Sequence, residues 1–150
     1  MITIQQLFDY EKQTRPIFDE FYKSNGYSCK RIYGEANKDY DCLVKIDGKE
    51  WKVEEKFRSQ EYPDLLVEII QDEETNAPGW LYTTKAEILL YGVKDKIYAV
   101  NIEKLRNFVK KFGDNFNRQV SKKGWGITKN IIIPWTTIFR NKIGKIVKYR

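Results

Sequence analysis

Residues 41–57 read DCLVKIDGKEWKVEEKF. Two runs of alternating apolar and polar residues flank Asp47-Gly48. Asp-Gly favours a two-residue type I′ turn, in which both central residues take positive φ, so the stretch is expected to be a β-hairpin. With that turn, Ile46 faces Lys49, Val44 faces Trp51 and Cys42 faces Val53, which makes one face apolar. On the other face Lys45 opposes Glu50, Leu43 opposes Lys52 and Asp41 opposes Glu54. Lys56 joins that face two residues on, because side chains alternate along a strand. Glu55 falls with Trp51, Val53 and Phe57 on the apolar face. There it needs a partner, an edge position or exposure.

Working outward, residues before the hairpin are expected to be helical. Thr3 is placed to cap a first turn and Thr14 a second helix, with Pro16 just inside it. Ile17, Phe18, Phe21 and Tyr22 form the buried stripe, and Asn25-Gly26 ends the helix. SCKRIY, residues 28–33, reads as a strand. After the hairpin, LLVEII reads as a strand, KAEILLYG as a helix capped by Thr83 or Thr84, and KIYAVN as a strand. IEKLRNFVKKFG reads as an amphipathic helix with Ile102, Leu105, Phe108, Val109 and Phe112 inward. A short helical turn near TTIFR and a basic strand KIVKYR close the chain. This order predicts a single α/β domain, a central mixed β-sheet flanked by helices.

The chain has 150 residues, 27 Lys+Arg, 21 Asp+Glu and no histidine. That length suits one domain. Without histidine there is no Ser-His-Asp or Cys-His catalysis, and two cysteines alone cannot make a four-ligand zinc site. A metal would have to sit on carboxylates and carbonyls, which points to a hard cation such as Mg²⁺ or Mn²⁺. Cys29 and Cys42 are too few for a disulfide framework and suit a reducing compartment. The opening residues lack the apolar run of a signal peptide, and no apolar run is long enough for a membrane span. A cytoplasmic location without membrane contact is therefore expected.

The charge is divided. Residues 101–150 hold 13 Lys+Arg against Glu103 and Asp114, a net of +11, whereas residues 1–100 carry −5. An acidic body joined to a basic final third suggests a polyanionic partner facing a carboxylate-bearing site. Arg118, Lys122, Lys123, Trp125 and Lys129 mix cations with an aromatic, which suits phosphate contacts and stacking. A basic surface that only aids solubility is the alternative. Two carboxylates opposed across a hairpin repel, and Lys56 or a divalent cation would offset that. A solvated face of cross-strand ion pairs explains the same charges and is the simpler reading of geometry alone.

Asp-(x)12-Glu-x-Lys on a hairpin, after a helix and one strand, resembles the PD-(D/E)XK nuclease superfamily, which includes restriction endonucleases and Holliday junction resolvases. The resemblance implies a restriction endonuclease-like αβββαβ core over residues 15–113. LLVEII is then an inserted strand and residues 114–150 a basic C-terminal addition. It implies a Mg²⁺-dependent endonuclease acting on DNA, with Mn²⁺ as a substitute. Asp41 and Glu54 become metal ligands, with the Glu55 backbone carbonyl as a further ligand and Lys56 acting on the attacking water. Glu20 matches a helix carboxylate that joins the metal in some members, though an exposed helix acid is the simpler reading. Gln60 and Glu68 are candidates for the surrounding polar shell. Lys85, at the start of the expected KAEILLYG helix, is a candidate phosphate contact. The chain departs from the pattern in carrying Tyr40 where proline is common and Glu55 where an apolar residue is usual. A two-fold homodimer would match a two-fold substrate. The alternative on the same fold is a nucleic-acid-binding protein without catalysis, and a third reading is a structural or interaction protein.

Overall fold

The computed structural model describes residues 4–32, 39–123 and 126–148, with side chains from residue 13 onward except 121 and 123. The hairpin forms as its sequence predicts. Strand β2 (Cys42–Ile46) pairs antiparallel with β3 (Lys49–Arg58), and Cys42↔Val53, Val44↔Trp51 and Ile46↔Lys49 are in register. Asp47 and Gly48 take φ of 50° and 82°, the positive values that a type I′ turn requires. Strand β1 (Ser28–Arg31) pairs antiparallel with the outer side of β2.

Helix α1 (Ile4–Ser24) is continuous, with Pro16 in its interior. The sequence predicts two helices meeting at Thr14; instead Thr14 is buried within one helix, and Thr3 lies outside the described residues. Proline costs a helix one hydrogen bond, but burial of Phe18, Phe21 and Tyr22 on the sheet holds the segment helical across it. Gly26, at φ 71°, ends the helix, and the Tyr27 N–H returns to Tyr22 O at 2.9 Å.

The segment expected as the helix KAEILLYG is strand β6 (Ile88–Val93). Its apolar residues fit either period, and tertiary placement decides between them. β6 lies parallel to β3 in the middle of the sheet, buried on both faces. Leu89, Tyr91 and Val93 enter one core and Leu90 the other. A strand buried on both sides reads as a continuous apolar run. Strand β7 (Lys96–Asn101) returns antiparallel, and helix α3 (Ile102–Phe112) follows, capped by Asn101 Oδ1 accepting from Lys104 N–H at 3.0 Å.

A parallel pair needs a long crossover. Between β3 and β6 the chain forms β4 (Asp64–Asp72), β5 (Ala77–Pro78) and the one-turn helix α2 (Trp80–Thr83). β4 lies outside the six-stranded mixed sheet β1-β2-β3-β6-β7-β10, in a second, antiparallel sheet β5-β4-β9-β8. Strands β8 (Arg118–Lys123) and β9 (Gly126–Pro134) complete this second sheet. Helix α4 (Trp135–Arg140) leads to β10 (Gly144–Lys148), an edge of the first. A single central sheet is thus replaced by two sheets, and residues after 114 are woven into both.

The larger core lies between the sheets, where Leu65, Val67, Ile131 and Ile133 meet Leu89, Tyr91, Tyr98 and Val100. Trp135 stacks on Tyr98 at 3.9 Å between centroids. α1 covers the opposite face of the six-stranded sheet. Among the described residues, no helix is long and apolar enough to cross a membrane.

Candidate active site

β3 presents its two faces to different surroundings. Val53, Glu55 and Phe57 face α1, whereas Glu54 and Lys56 face the second sheet and α2. On this second face Lys56 Nζ lies 3.8 Å from Glu54 Oε1. The ammonium also stands 5.9 Å from the centroid of the Trp80 ring. The Glu54 side chain is 15% exposed and that of Lys56 34%, so both reach solvent from a half-buried position.

Asp41 precedes β2 and leaves its register. Its N–H donates to Val53 O at 2.9 Å, and its Oδ2 accepts from the Glu55 N–H at 2.7 Å. The carboxylate therefore takes a ladder position on β3 at the residue between Glu54 and Lys56. Glu54 and Lys56 share one face of β3 as the alternation predicts, and Asp41 lies at the same end of the hairpin. Asp41 is held on the strand's own backbone rather than set squarely against the Glu54 carboxylate.

The other candidates fall in different places. The Glu68 carboxylate accepts from the Trp80 N–H at 3.3 Å, which ties β4 to the residue whose ring faces Lys56. Gly79 makes that approach possible, since a Cβ there would lie 2.3 Å from Glu68 O. Glu20 is exposed on α1, accepts from Ser24 at 3.2 Å, and belongs to the helix that covers the far face of the sheet from Glu54. Gln60 is exposed and accepts from Tyr62 Oη at 2.6 Å.

No helix starts at Thr83–Lys85, because the following residues form β6; the expected cradle at a helix N-terminus is absent there. Lys85 is exposed and pairs with Asp39 at 3.4 Å. Arg118 pairs with Asp114 at 2.8 Å and Lys129 with Glu73 at 3.0 Å, while Lys122 is exposed on β8. The Lys123 side chain and Trp125 lie outside the described residues.

Comparison with protein-family models, curated proteins and solved structures finds no match for this chain. The site is therefore read from its own geometry.

Glu55 finds the partner that its position demands. Arg31 Nη1 lies 2.7 Å from Glu55 Oε1, and Tyr22 Oη donates to Glu55 Oε2 at 2.5 Å. Arg31 also pairs with Asp19 at 2.5 Å. Burial raises the Glu55 carboxyl above its ordinary range, outweighing Arg31 and Tyr22, which favour the anion. Burial and the adjacent Glu55 charge push the Tyr22 phenol up, so it stays a donor. Arg31 is raised, because Glu55 and Asp19 together outweigh its own burial. A hydrogen bond with Cys29, then burial, raise the Cys42 thiol.

Sequence reading missed three participants on the Glu54 face. Thr84, read as a helix cap, donates instead toward Glu54 Oε2 at 3.2 Å. Trp80, from α2, faces Lys56. Arg106 from α3 holds the carbonyls of Leu81 and Thr84. Nothing local in the sequence marks these residues, since each contact crosses between elements far apart in the chain.

The residues that the resemblance names for a divalent cation carry oxygen donors only: the carboxylates of Asp41 and Glu54 and the carbonyl of Glu55. Among the described residues no group of three or more His, Cys, Asp or Glu gathers in metal-binding proximity. Carboxylate oxygens are the ligand type that Mg²⁺ takes, commonly one or two with several waters.

Proposed function

We propose that the protein is a metal-dependent nuclease of PD-(D/E)XK type that hydrolyses phosphodiester bonds in DNA. The observation that carries this reading is the pairing of Glu54 with Lys56 on one face of β3, beside an Asp41 carboxylate bound to the Glu55 amide. The order α1-β1-β2-β3, with the three strands antiparallel, supports it, as the resemblance implies three strands after one helix. The αβββαβ core departs from expectation at the next step, where the second helix is only the one-turn α2 and its expected residues form strand β6.

In this reading Asp41, Glu54 and the Glu55 carbonyl hold Mg²⁺ or Mn²⁺. The bound cation supplies charge neutralisation at the scissile phosphate. As the ammonium, Lys56 orients the attacking water and stabilises charge on the phosphate; as the neutral amine it would accept the water's proton. Trp80 and Glu54 restrict the ammonium, so that it is presented in one direction. Lys122 and Arg118 on β8, with the basic C-terminal third, engage the phosphate backbone. A homodimer would present two such sites to a two-fold substrate.

The test is cleavage of supercoiled, linear, single-stranded and branched DNA with Mg²⁺ or Mn²⁺. Wild type is expected to cut at least one of them, and Lys56→Ala to cut about 10²–10⁴-fold more slowly. Equal background from both proteins on every substrate overturns the enzyme reading. Salt-dependent DNA binding without cleavage would leave the second reading, a binding module in which Glu54 serves only to pair Lys56.

A further inference from the structure

Thr84 is 5% exposed, and its hydroxyl sits at a junction of three segments. Its oxygen accepts from the Ala86 N–H at 3.1 Å. Its proton faces two acceptors, Glu54 Oε2 at 3.2 Å and Asp39 O at 3.1 Å. A threonine has one hydroxyl proton, so these acceptors share it. Asp39 O also accepts from the Lys85 N–H at 2.7 Å. The turn after α2 thus grips the segment leading to Asp41 and touches the Glu54 carboxylate with the same side chain. The turn is itself held from behind, because Arg106 donates to Leu81 O at 2.6 Å and to Thr84 O. Those carbonyls at the end of α2 would otherwise lack partners.

We propose that Thr84 is a positioning residue: its hydroxyl orients the Glu54 carboxylate and keeps the Asp39–Asp41 segment at the distance from β3 that the site requires. The role does not involve contact with substrate. Only the metal-binding part of its test rests on the nuclease reading.

The experiment compares wild type, Thr84→Val and Thr84→Ser. The Glu54 side-chain carboxyl ¹³C resonance is followed in metal-free protein, and Mn²⁺ binding is followed by isothermal titration. Thr84→Val is expected to move the resonance and weaken Mn²⁺ binding about 10–100-fold, the range found when an outer hydrogen bond to a metal ligand is lost. Thr84→Ser keeps the hydroxyl and is expected to restore both. An unmoved resonance in Thr84→Val overturns the proposal, as does a Thr84→Ser protein that behaves like Thr84→Val. A wild type that takes up no Mn²⁺ overturns the nuclease reading instead, and the resonance then decides the role of Thr84. Should Thr84→Val fail to fold, Glu54→Ala gives the reciprocal measurement. The Thr84 methyl resonance moves if the contact exists, and an unmoved methyl overturns it.

Discussion

Arg31 Nη1 lies 2.7 Å from Glu55 Oε1 on the face of β3 that turns away from Glu54 and Lys56. The two side chains are 11% and 6% exposed, so the pair lies behind the candidate site. One strand thereby carries two carboxylates in adjacent residues, Glu55 paired with Arg31 on one face and Glu54 with Lys56 on the other.

The pair makes stability depend on pH in a defined direction. Glu55 titrates higher in the folded chain than in the unfolded one, because burial outweighs Arg31. Its stabilising contribution is complete below the ordinary carboxylate range and is lost as pH rises through the folded value. Removing Arg31 raises that value further. Arg31→Met is therefore expected to cost about 3–5 kcal/mol at neutral to alkaline pH and clearly less in acid, where Glu55 takes a proton. Adding Glu55→Gln should recover part of the loss at high pH. Urea denaturation across a pH series checks this, and a loss independent of pH would show that the pair is not coupled.

Gly79 is required by close approach rather than by its backbone angle, which is ordinary at φ −77°. A methyl group there meets Glu68 O at 2.3 Å and Glu68 Cγ at 2.8 Å. Gly79→Ala is expected to lose about 1–3 kcal/mol through overpacking. It should also disturb the Trp80 ring beside Lys56, read as a change in tryptophan fluorescence. An unchanged denaturation midpoint would mean that β4 and α2 can part without cost.

Gly48 offers the opposite case. Its surroundings are open, with nothing within 4 Å of an added Cβ, but its φ is +82°. Gly48→Ala is expected to cost about 1–2 kcal/mol from the left-handed backbone alone. Gly48→Asn should cost less, because asparagine tolerates that region. The comparison by thermal unfolding isolates the turn from side-chain packing.

The basic strand makes a prediction about salt. If β8 contacts phosphates, Arg118→Ala combined with Lys122→Ala should lower the slope of log K against log salt by about 2, with little dependence on DNA sequence. Fluorescence anisotropy over a salt series measures it. An unaltered slope would place the contact surface elsewhere.

How much of this was legible in the chain depends on the range of each interaction. The β2–β3 register, the I′ turn, the end of α1 at Gly26 and the capped helix α3 follow from alternation, φ preference and capping, which act over a few residues. The unease of Glu55 on an apolar face was also visible locally, although its partner was not. Arg31 lies 24 residues away and reaches Glu55 only because β1 pairs with β2.

What the sequence by itself determined was the hairpin and the sorting of Glu54 and Lys56 from Glu55, because strand geometry sends alternate side chains to opposite faces. Tertiary structure alone decided that Ile88–Val93 is a strand, since a short apolar run acquires its form from burial on both faces. It also decided that LLVEII shares a second sheet with β8 and β9 while the basic β10 joins the first, and that Thr84 and Trp80 meet the site. Those contacts join segments tens of residues apart, and no local pattern encodes them.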